Sequence, residues 1–319
     1  QIQWAVAGLL FYFIVLQIDY HSLIDFSAFF YFFALALLVA VLLVGKKISG
    51  ARSWFALGYF NFQPSEVAKL ASILFLAKFL SHETRNTVNF RDVLVAGLIM
   101  GVPMFLTILQ PDMGTTITFL PPLLLLLFLA GLKYRHIFVA LASGLASLPL
   151  VWMFLKPYQK SRILTFLDPT MDPLGSGYQI IQSKIAVGSG RITGKGLFAK
   201  TTQAYLDYIP EKHTDFIFSI LAEDFGLIGV SLALGLYLLL MLRMISTAKQ
   251  ARDRVGVYIT MGIFSLFFFH FVINIGMIIG LMPITGLPLP LMSYGGSSLL
   301  STMVGLGIIM NIRMRRFVN

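Results

Sequence analysis

Two absences narrow the class of protein. The sequence has 319 residues and no cysteine, which excludes structural disulfides, thiolate metal sites and cysteine nucleophiles. Charged residues make up only 12% of the chain, whereas soluble globular domains have about a quarter. A water-soluble fold of this composition would have too few polar side chains to cover its surface, so the outer surface is expected to face lipid.

Long apolar segments take the place of the missing charge. Hydrophobic residues form 57% of the chain and include 29 phenylalanines, and about 20 apolar residues cross a bilayer as a helix. Segments without Asp, Glu, Lys or Arg cover 2–18, 26–45, 93–109, 113–132, 136–155, 225–242 and 255–312. Three prolines and three glycines between Met282 and Ser297 divide the last one, and a weaker segment covers 66–80. The predicted fold class is all-α, a polytopic integral membrane protein with about nine helices in this chain.

Basic residues predict the orientation, because cytoplasmic connections are enriched in Lys and Arg. With the C-terminus inside, the short outer connections hold only Lys46, Lys47 and Arg52. The inner segments hold twelve basic residues: Lys78, Arg85, Arg91, Lys133, Arg135, Arg243, Lys249, Arg252, Arg254, Arg313, Arg315 and Arg316. The formal net charge of +10 therefore indicates loop topology and anionic lipid rather than nucleic acid.

An odd number of helices places Gln1 outside, so we expect a further helix upstream. One polar segment of about sixty residues, 156–215, lies on the predicted outer face of a single transmembrane domain, 1–319. It is far longer than ordinary connections, which indicates a working surface.

Two ionisable residues lie inside the weaker helical segment. Pro64 and Ser65 suit the first turn of a helix, and Glu66 and Lys69 are then on one face and able to pair. Ionisable residues at membrane depth are costly and usually line a cavity. The alternative is an ion pair that only neutralises itself at a helix end, and both interpretations stay open.

Another carboxylate lies where the polar segment meets the next helix. Asp215 directly precedes the apolar run from Phe216 to Phe218, so partial loss of water would make its carboxylate a stronger base. The alternative is a capping residue at the positive end of the helix dipole. Spacing alone favours the cap.

Basic residues and glycines recur in the polar segment. Lys184, Arg191 and Lys195, beside exposed glycine amides, are typical of phosphate or pyrophosphate binding. A solvated basic face beside anionic lipid headgroups explains them equally well. Gly194-Lys195-Gly196 is not a nucleotide-binding P-loop, because the wider GxxxxGK[ST] pattern is missing. The five histidines show no metal-ligand spacing, so no zinc site is expected.

Two further non-helical segments are candidate parts of a site. The uncharged stretch from Gly286 to Gly296 interrupts a helical region at membrane depth, where non-helical backbone is either buried in protein or lines a cavity. It is either a substrate-lining element or a purely architectural break. The turn at Gln110-Pro-Asp112 is short, and Asp112 and Thr115 are also explained as helix caps.

Taken together, five segments resemble the SEDS (shape, elongation, division and sporulation) family, in an order and spacing closest to its elongation branch. They are QPSEVAK from Gln63, QPDMGTT from Gln110, LDPTMDPLGSGYQIIQSKIAVGSGRITGKG from Leu167, PEKHTDFIFSILAEDFGLIG from Pro210 and GLPLPLMSYGGSS from Gly286. The resemblance covers about Gly45 to Met310 and implies a ten-helix bundle, of which this chain begins at the second helix.

The resemblance implies a peptidoglycan glycosyltransferase that polymerises lipid II into glycan strands during cell elongation. It assigns the catalytic role to Asp215, which reverses the preference for a cap, and places Glu66 and Lys69 in a central cavity. Other residues of the matching motifs are expected to contact substrate: Gln110, Asp112, Gln182, Lys184, Arg191, Lys195, His213 and Ser293.

The resemblance also implies a location and partners. The protein is expected in the bacterial inner membrane, with its active site outside, beside a class B penicillin-binding protein transpeptidase, other elongation-complex membrane proteins and membrane lipids. Undecaprenyl pyrophosphate would leave, stabilised by basic residues with or without a divalent cation such as Mg²⁺ or Mn²⁺. No organic cofactor and no nucleic acid are expected. The alternatives are a lipid II flippase, with Glu66, Lys69 and Asp215 along its path, and a scaffold for wall enzymes.

Overall fold

The computed structural model describes residues 1–48, 50–57, 60–82, 88–172, 175–197, 199–203, 205–206, 208 and 213–317. The predicted inner residue Arg85, and residues 173–174, 198, 204, 207 and 209–212 of the polar segment, lie outside the described residues.

Helices dominate the described part of the chain. In order they are α1 (Ile2–Gln17), α2 (Tyr20–Asp25), α3 (Ser27–Val44), α4 (Pro64–His82), α5 (Phe90–Leu109), α6 (Met113–Ile117), α7 (Leu120–Leu129), α8 (Tyr134–Phe154), α9 (Pro157–Leu167), α10 (Ser176–Ser189), α11 (Ile217–Lys249), α12 (Arg254–Ile278) and α13 (Gly296–Met314). Short 3₁₀ turns cover Pro169–Met171 and Arg315–Phe317. Strands β1 (Lys46–Ile48), β2 (Ala51–Leu57) and β3 (Phe60–Phe62) form a small antiparallel sheet in that order.

Every predicted apolar segment corresponds to helix within the described residues, with 113–132 divided into α6 and α7. Five of the helices, α3, α5, α11, α12 and α13, are long and apolar enough to cross a membrane. The prediction of a polytopic helical membrane protein is thereby confirmed. The small sheet was not predicted, because strands of three to seven residues are too short to give a clear alternating pattern. The polar segment 156–215 contains α9 and α10.

Contacts divide the chain into two compact units. The first comprises Gln1–Ile137, Met241–Phe269 and Gly295–Asn319, and the second comprises Phe138–Leu240 and His270–Tyr294. The single domain over 1–319 stays a prediction.

In the first unit, α3 shows why a fully apolar helix still has a defined inner face. Its buried positions recur every three or four residues: Tyr31, Ala34, Leu38 and Val41. The Tyr31 ring stacks on Phe75 with centroids 4.9 Å apart, and its hydroxyl donates to the Ile99 carbonyl at 2.9 Å. The exposed side of α3 carries Phe29, Phe32 and Phe33. Because lipid is as apolar as these rings, packing and hydrogen bonds select the inner face.

The packing of α1 against α13 uses small residues and one amide. A Cβ on Gly307 would lie 3.2 Å from the Tyr12 carbonyl oxygen, so glycine allows the two backbones to approach. The Asn311 amide is buried and donates to the carbonyls of Val15, Leu16 and Ile18, which end α1. These contacts satisfy carbonyls that a helix end leaves without partners.

A polar cluster joins the start of α2 to the α11–α12 connection and the C-terminal turn. Asp19 caps α2 by accepting from the His21 backbone N–H at 2.9 Å, and Arg315 donates to its other oxygen at 2.9 Å. The His21 ring contacts Asp253 at 3.0 Å, and the Tyr20 hydroxyl donates to the same Asp253 oxygen at 3.2 Å. The backbone hydrogen bond, with help from the His21 ring and the charge of Arg315, holds the pKa of Asp19 below its ordinary value.

Candidate active site

Asp215 lies in the turn that leads into α11, two residues before Ile217. Its side chain is half-buried, whereas the neighbouring Phe216 is fully buried. A Cβ on Gly286 would lie 3.7 Å from the Asp215 carboxylate, and Gly286 has a φ of +73°, a conformation that favours glycine. The absence of a side chain at Gly286 therefore leaves space beside this carboxylate.

The backbone of Asp215 is held by an amide from α12. Asn274 is fully buried, and its Nδ2 donates to the Asp215 carbonyl at 3.0 Å and to the Leu287 carbonyl at 2.8 Å. Leu287 belongs to the non-helical stretch between α12 and α13. One amide thus fixes the catalytic candidate and the proline-rich stretch relative to each other. Asn274 is a lone amide in an apolar run, which is the sequence signal that could have identified it.

The same stretch holds the two residues before Asp215. The Ser293 hydroxyl donates to the Thr214 carbonyl at 2.6 Å and accepts from the Leu289 N–H at 2.8 Å. The Tyr294 N–H donates to the His213 carbonyl at 2.9 Å, while the His213 side chain is exposed. Ser293 therefore positions the turn through backbone contacts. The non-helical stretch packs onto the candidate site as well as interrupting the helical region.

Helix α10 presents a cation beside the start of this stretch. The buried Ser183 hydroxyl donates to the Ile278 carbonyl at the end of α12, at 2.8 Å. The exposed Lys184 side chain passes over Gly280, where any Cβ would overlap it. Gly280 has a φ of +75°, so both its conformation and its lack of a side chain suit this position. Gln182, on the same helix, is half-buried.

Helix α11 is interrupted near its start by Gly226, whose φ of 61° and ψ of −160° are not helical. The break frees two backbone donors for a neighbouring loop: Leu227 N–H donates to the Arg191 carbonyl at 2.9 Å, and Ile228 N–H to the Ile192 carbonyl at 3.2 Å. Arg191 and Ile192, at the start of the loop after α10, are thereby bound to α11 directly after its break. The Arg191 side chain is exposed.

Lys195 lies in that loop and forms an ion pair with Glu223 of α11. The two side chains are 2.6 Å apart, and Glu223 is fully buried while Lys195 is 24% exposed. Lys195 also donates to the Thr201 carbonyl at 3.2 Å. The structure thus places Lys195 on a protein carboxylate, whereas Lys184 and Arg191 have exposed side chains. The sequence shows Glu223 as an acidic residue directly before a long apolar run. Its partner Lys195 could not be identified from the sequence, because the two residues are 28 positions apart.

In the first unit, Glu66 and Lys69 form the predicted ion pair at 2.8 Å, and both side chains are buried. Ser301 of α13 donates to the second Glu66 oxygen at 2.7 Å. The helix begins at Pro64, as predicted. Because burial removes water from both charges, hydrogen bonds such as that from Ser301 are needed to hold the carboxylate.

The Gln110–Asp112 turn belongs to the same unit. Asp112 caps α6 by accepting from the Thr115 N–H at 3.1 Å, which confirms the capping interpretation. Its other oxygen accepts from the Gln63 side chain at 3.2 Å. Gln110 is fully buried and donates to the Leu38 carbonyl at 3.1 Å. These contacts tie the turn before α6 to the start of α4.

The described residues contain no cluster of three or more His, Cys, Asp or Glu side chains that could hold a metal ion. The proposed reaction includes no step that depends on a divalent cation.

Comparisons with known proteins agree on one family. The family model for FtsW, RodA and SpoVE, described as a cell cycle protein, matches residues 1–317. The chain is 41% identical over 310 residues to the peptidoglycan glycosyltransferase MrdB of Escherichia coli strain K12, covering 97% of this chain and 83% of that protein. It is 34% identical over 388 residues to the peptidoglycan glycosyltransferase RodA of Treponema pallidum strain Nichols, covering 99% and 89%.

Solved structures give the same result. A chain from work on the structural coordination of polymerization and crosslinking by a peptidoglycan synthase complex is 36% identical, with a TM-score of 0.84 over 99% of this chain and 89% of that one. The rod shape determining protein RodA of Thermus thermophilus is 33% identical, with a TM-score of 0.74 over 100% of this chain and 88% of that one.

Proposed function

The chain belongs to the FtsW, RodA and SpoVE family of membrane proteins, and on that premise we propose that it polymerises lipid II into glycan strands during cell elongation. Peptidoglycan glycosyltransferase is the activity named for relatives that match nearly the whole chain. The observation that carries the proposal is the half-buried residue Asp215, in a turn whose backbone carbonyls are held by Asn274 and Ser293, with its carboxylate beside Gly286.

Asp215 acts as the general base. Its carboxylate takes the proton from the 4-hydroxyl of the acceptor sugar, and that oxygen attacks the anomeric carbon of the donor. The bond between the anomeric carbon and the pyrophosphate oxygen breaks as the new glycosidic bond forms. A general base contributes about 10²–10⁴-fold in rate when it is held in place. The backbone hydrogen bonds to Thr214 and Asp215 supply that placement.

Undecaprenyl pyrophosphate is the leaving group, and its charge must be stabilised as it departs. Lys184 and Arg191 are suited to this role because their side chains are exposed and belong to the same unit as Asp215. Lys184 is directed over Gly280, at the start of the stretch that packs against the Asp215 turn. The two cations bind the pyrophosphate oxygens by charge-assisted hydrogen bonds.

The site faces the outside of the bacterial inner membrane, and the C-terminus is cytoplasmic. The distribution of basic residues supports this orientation. The partner is a class B penicillin-binding protein transpeptidase, which cross-links the nascent strand. Similarity to a chain from a peptidoglycan synthase complex supports such a partner.

The test is polymerisation of purified lipid II by the purified chain with its transpeptidase in detergent micelles. A polymerase makes long glycan strands there, visible on a gel after the transpeptidase is blocked by a β-lactam. A flippase moves labelled lipid II between the leaflets of vesicles and makes no strands in micelles, where no leaflets exist. Transport without strands would overturn the proposal.

A further inference from the structure

The Glu223 carboxylate is buried, and it accepts hydrogen bonds from three residues. Lys195 donates at 2.6 Å and Ser189, the last residue of α10, at 3.2 Å. The Gln203 backbone N–H lies 3.0 and 2.9 Å from the two carboxylate oxygens. Glu223 therefore ties the end of α10, and the middle and last residue of the glycine loop (residues 190–203), to the first part of α11.

Backbone contacts continue the same junction. The Lys195 N–H donates to the Glu223 carbonyl at 2.9 Å, and the Gly196 N–H to the Asp224 carbonyl at 3.0 Å. A Cβ on Gly190 would overlap the Ala222 carbonyl, and one on Gly194 would overlap the Asp224 carbonyl. The loop thus approaches α11 so closely that only glycine fits at these two positions.

The first part of α11, residues 217–225, is consequently fixed at both ends. Before it, Asn274 and Ser293 hold the Asp215 turn. At its other end, Glu223 holds the glycine loop, and the helix is then interrupted at Gly226. Because a helix segment is stiff, the junction at Glu223 fixes where the glycine loop, with Arg191, lies relative to the Asp215 carboxylate.

We propose that Glu223 is a positioning residue for the transfer reaction, and that Lys195 is its counter-ion rather than a ligand of the leaving pyrophosphate. The proposal rests on the proposed function. Lys195 has its ammonium on a buried carboxylate, and moving it to a pyrophosphate would leave Glu223 buried and charged without a counter-ion. Arg191 and Lys184 are the cations left to contact the substrate.

The experiment is a double-mutant cycle, measured on the full chain together with its transpeptidase partner. The variants are Lys195→Met, Glu223→Gln and the double variant, and Lys200→Met is the matched control because Lys200 is an exposed lysine of the same loop. Initial rates of lipid II polymerisation in micelles give kcat and KM, and thermal unfolding in the same detergent identifies a temperature at which every variant is folded.

Lys195→Met leaves Glu223 buried without its counter-ion, so kcat is expected to fall by roughly a hundredfold through misplacement of the site. KM for lipid II is expected to stay near the wild-type value. Adding Glu223→Gln removes the unpaired charge, so the double variant is expected to regain at least roughly tenfold in kcat over Lys195→Met. Lys200→Met should match the wild type.

If Lys195 contacts the pyrophosphate instead, Glu223→Gln restores nothing, and the double variant is no better than Lys195→Met. That result would overturn the proposal. Should either single variant fail to fold, Ser189→Ala gives a milder test, because it removes one donor to Glu223. Its kcat should fall while KM stays constant, and an unchanged kcat would count against Glu223. Failure of the wild type to make strands would instead overturn the proposed function, so the two failures are distinguishable.

Discussion

At the scale of single residues, buried polar side chains fix backbone carbonyls. Asn274 holds Asp215, Ser293 holds Thr214, and Asn311 holds the end of α1. In the sequence, such residues are recognisable as isolated polar residues within apolar segments. The sequence cannot show their carbonyl partners, because those partners lie on segments up to 296 residues away along the chain.

Residue pairs within one helical turn could be predicted from the sequence, because the two partners are close together along the chain. The Glu66–Lys69 pair and the Asp112 cap follow from spacings of three residues, and both are confirmed. The Glu223–Lys195 pair could not be predicted in this way, since the two residues are 28 positions apart. The catalytic role of Asp215 came from the family resemblance, and it stays a proposal.

Asp19 gives a pH-dependent prediction. Its folded-state pKa is lowered, mainly by the hydrogen bond from the His21 backbone N–H. Its stabilising contribution is therefore present above the unfolded pKa of about 3.9 and lost as pH falls through the folded value. At pH of about 5, Asp19→Asn should lower the free energy of unfolding by about 0.2–1 kcal/mol, the range for exposed pairs.

The measurement is unfolding in detergent as a function of pH. The difference between wild type and Asp19→Asn should shrink as pH falls below about 4. Asp25→Asn is the matched control, because the exposed Asp25 side chain has no ion pair among the described residues. A difference that grows on acidification would contradict the assignment.

At the scale of elements, α11 shows which parts of a helix can be predicted from apolar segments of the sequence. The predicted segment 225–242 corresponds to the part of α11 after the Gly226 break. The first part lies outside that charge-free segment because it contains Glu223 and Asp224, but its start was predicted from the apolar run that follows Asp215. The non-helical stretch before α13 was predicted from its prolines and glycines, but its contacts with the Asp215 turn were not, since they join residues about 80 positions apart.

The break at Gly226 gives a prediction with a control on the same helix. Its φ and ψ belong to a region open essentially to glycine, so Gly226→Ala should lower the free energy of unfolding by at least about 1–3 kcal/mol. A Cβ there would also overlap the Gly194 backbone. Gly235 is helical and exposed with open space around it, so Gly235→Ala should raise stability by about 0.5–1 kcal/mol.

Thermal unfolding of both glycine variants in the same detergent checks this pair. Equal stability of Gly226→Ala and wild type would show that α11 continues unbroken through this position in solution.

At the scale of the whole molecule, composition predicts the class and charge predicts the orientation. The class is confirmed by five helices, in the described part of the chain, that are long and apolar enough to cross a membrane. The orientation can be measured directly, because a chain without cysteine is already a labelling background. A membrane-impermeant maleimide should label Lys200→Cys in intact cells. Gln250→Cys, in the exposed α11–α12 connection, should react only after permeabilisation. The reverse pattern would invert the topology.

The central claim is that the Asp215 carboxylate takes the proton from the acceptor sugar. The most direct measurement is the initial rate of lipid II polymerisation in micelles by wild type and Asp215→Asn, each with the transpeptidase partner, beside the Asp25→Asn control. The Asn side chain fits the same space but is a far weaker base, so the rate should fall by about 10²–10⁴-fold while the control stays at the wild-type rate. A folded Asp215→Asn protein that retains most of the wild-type rate would contradict the account.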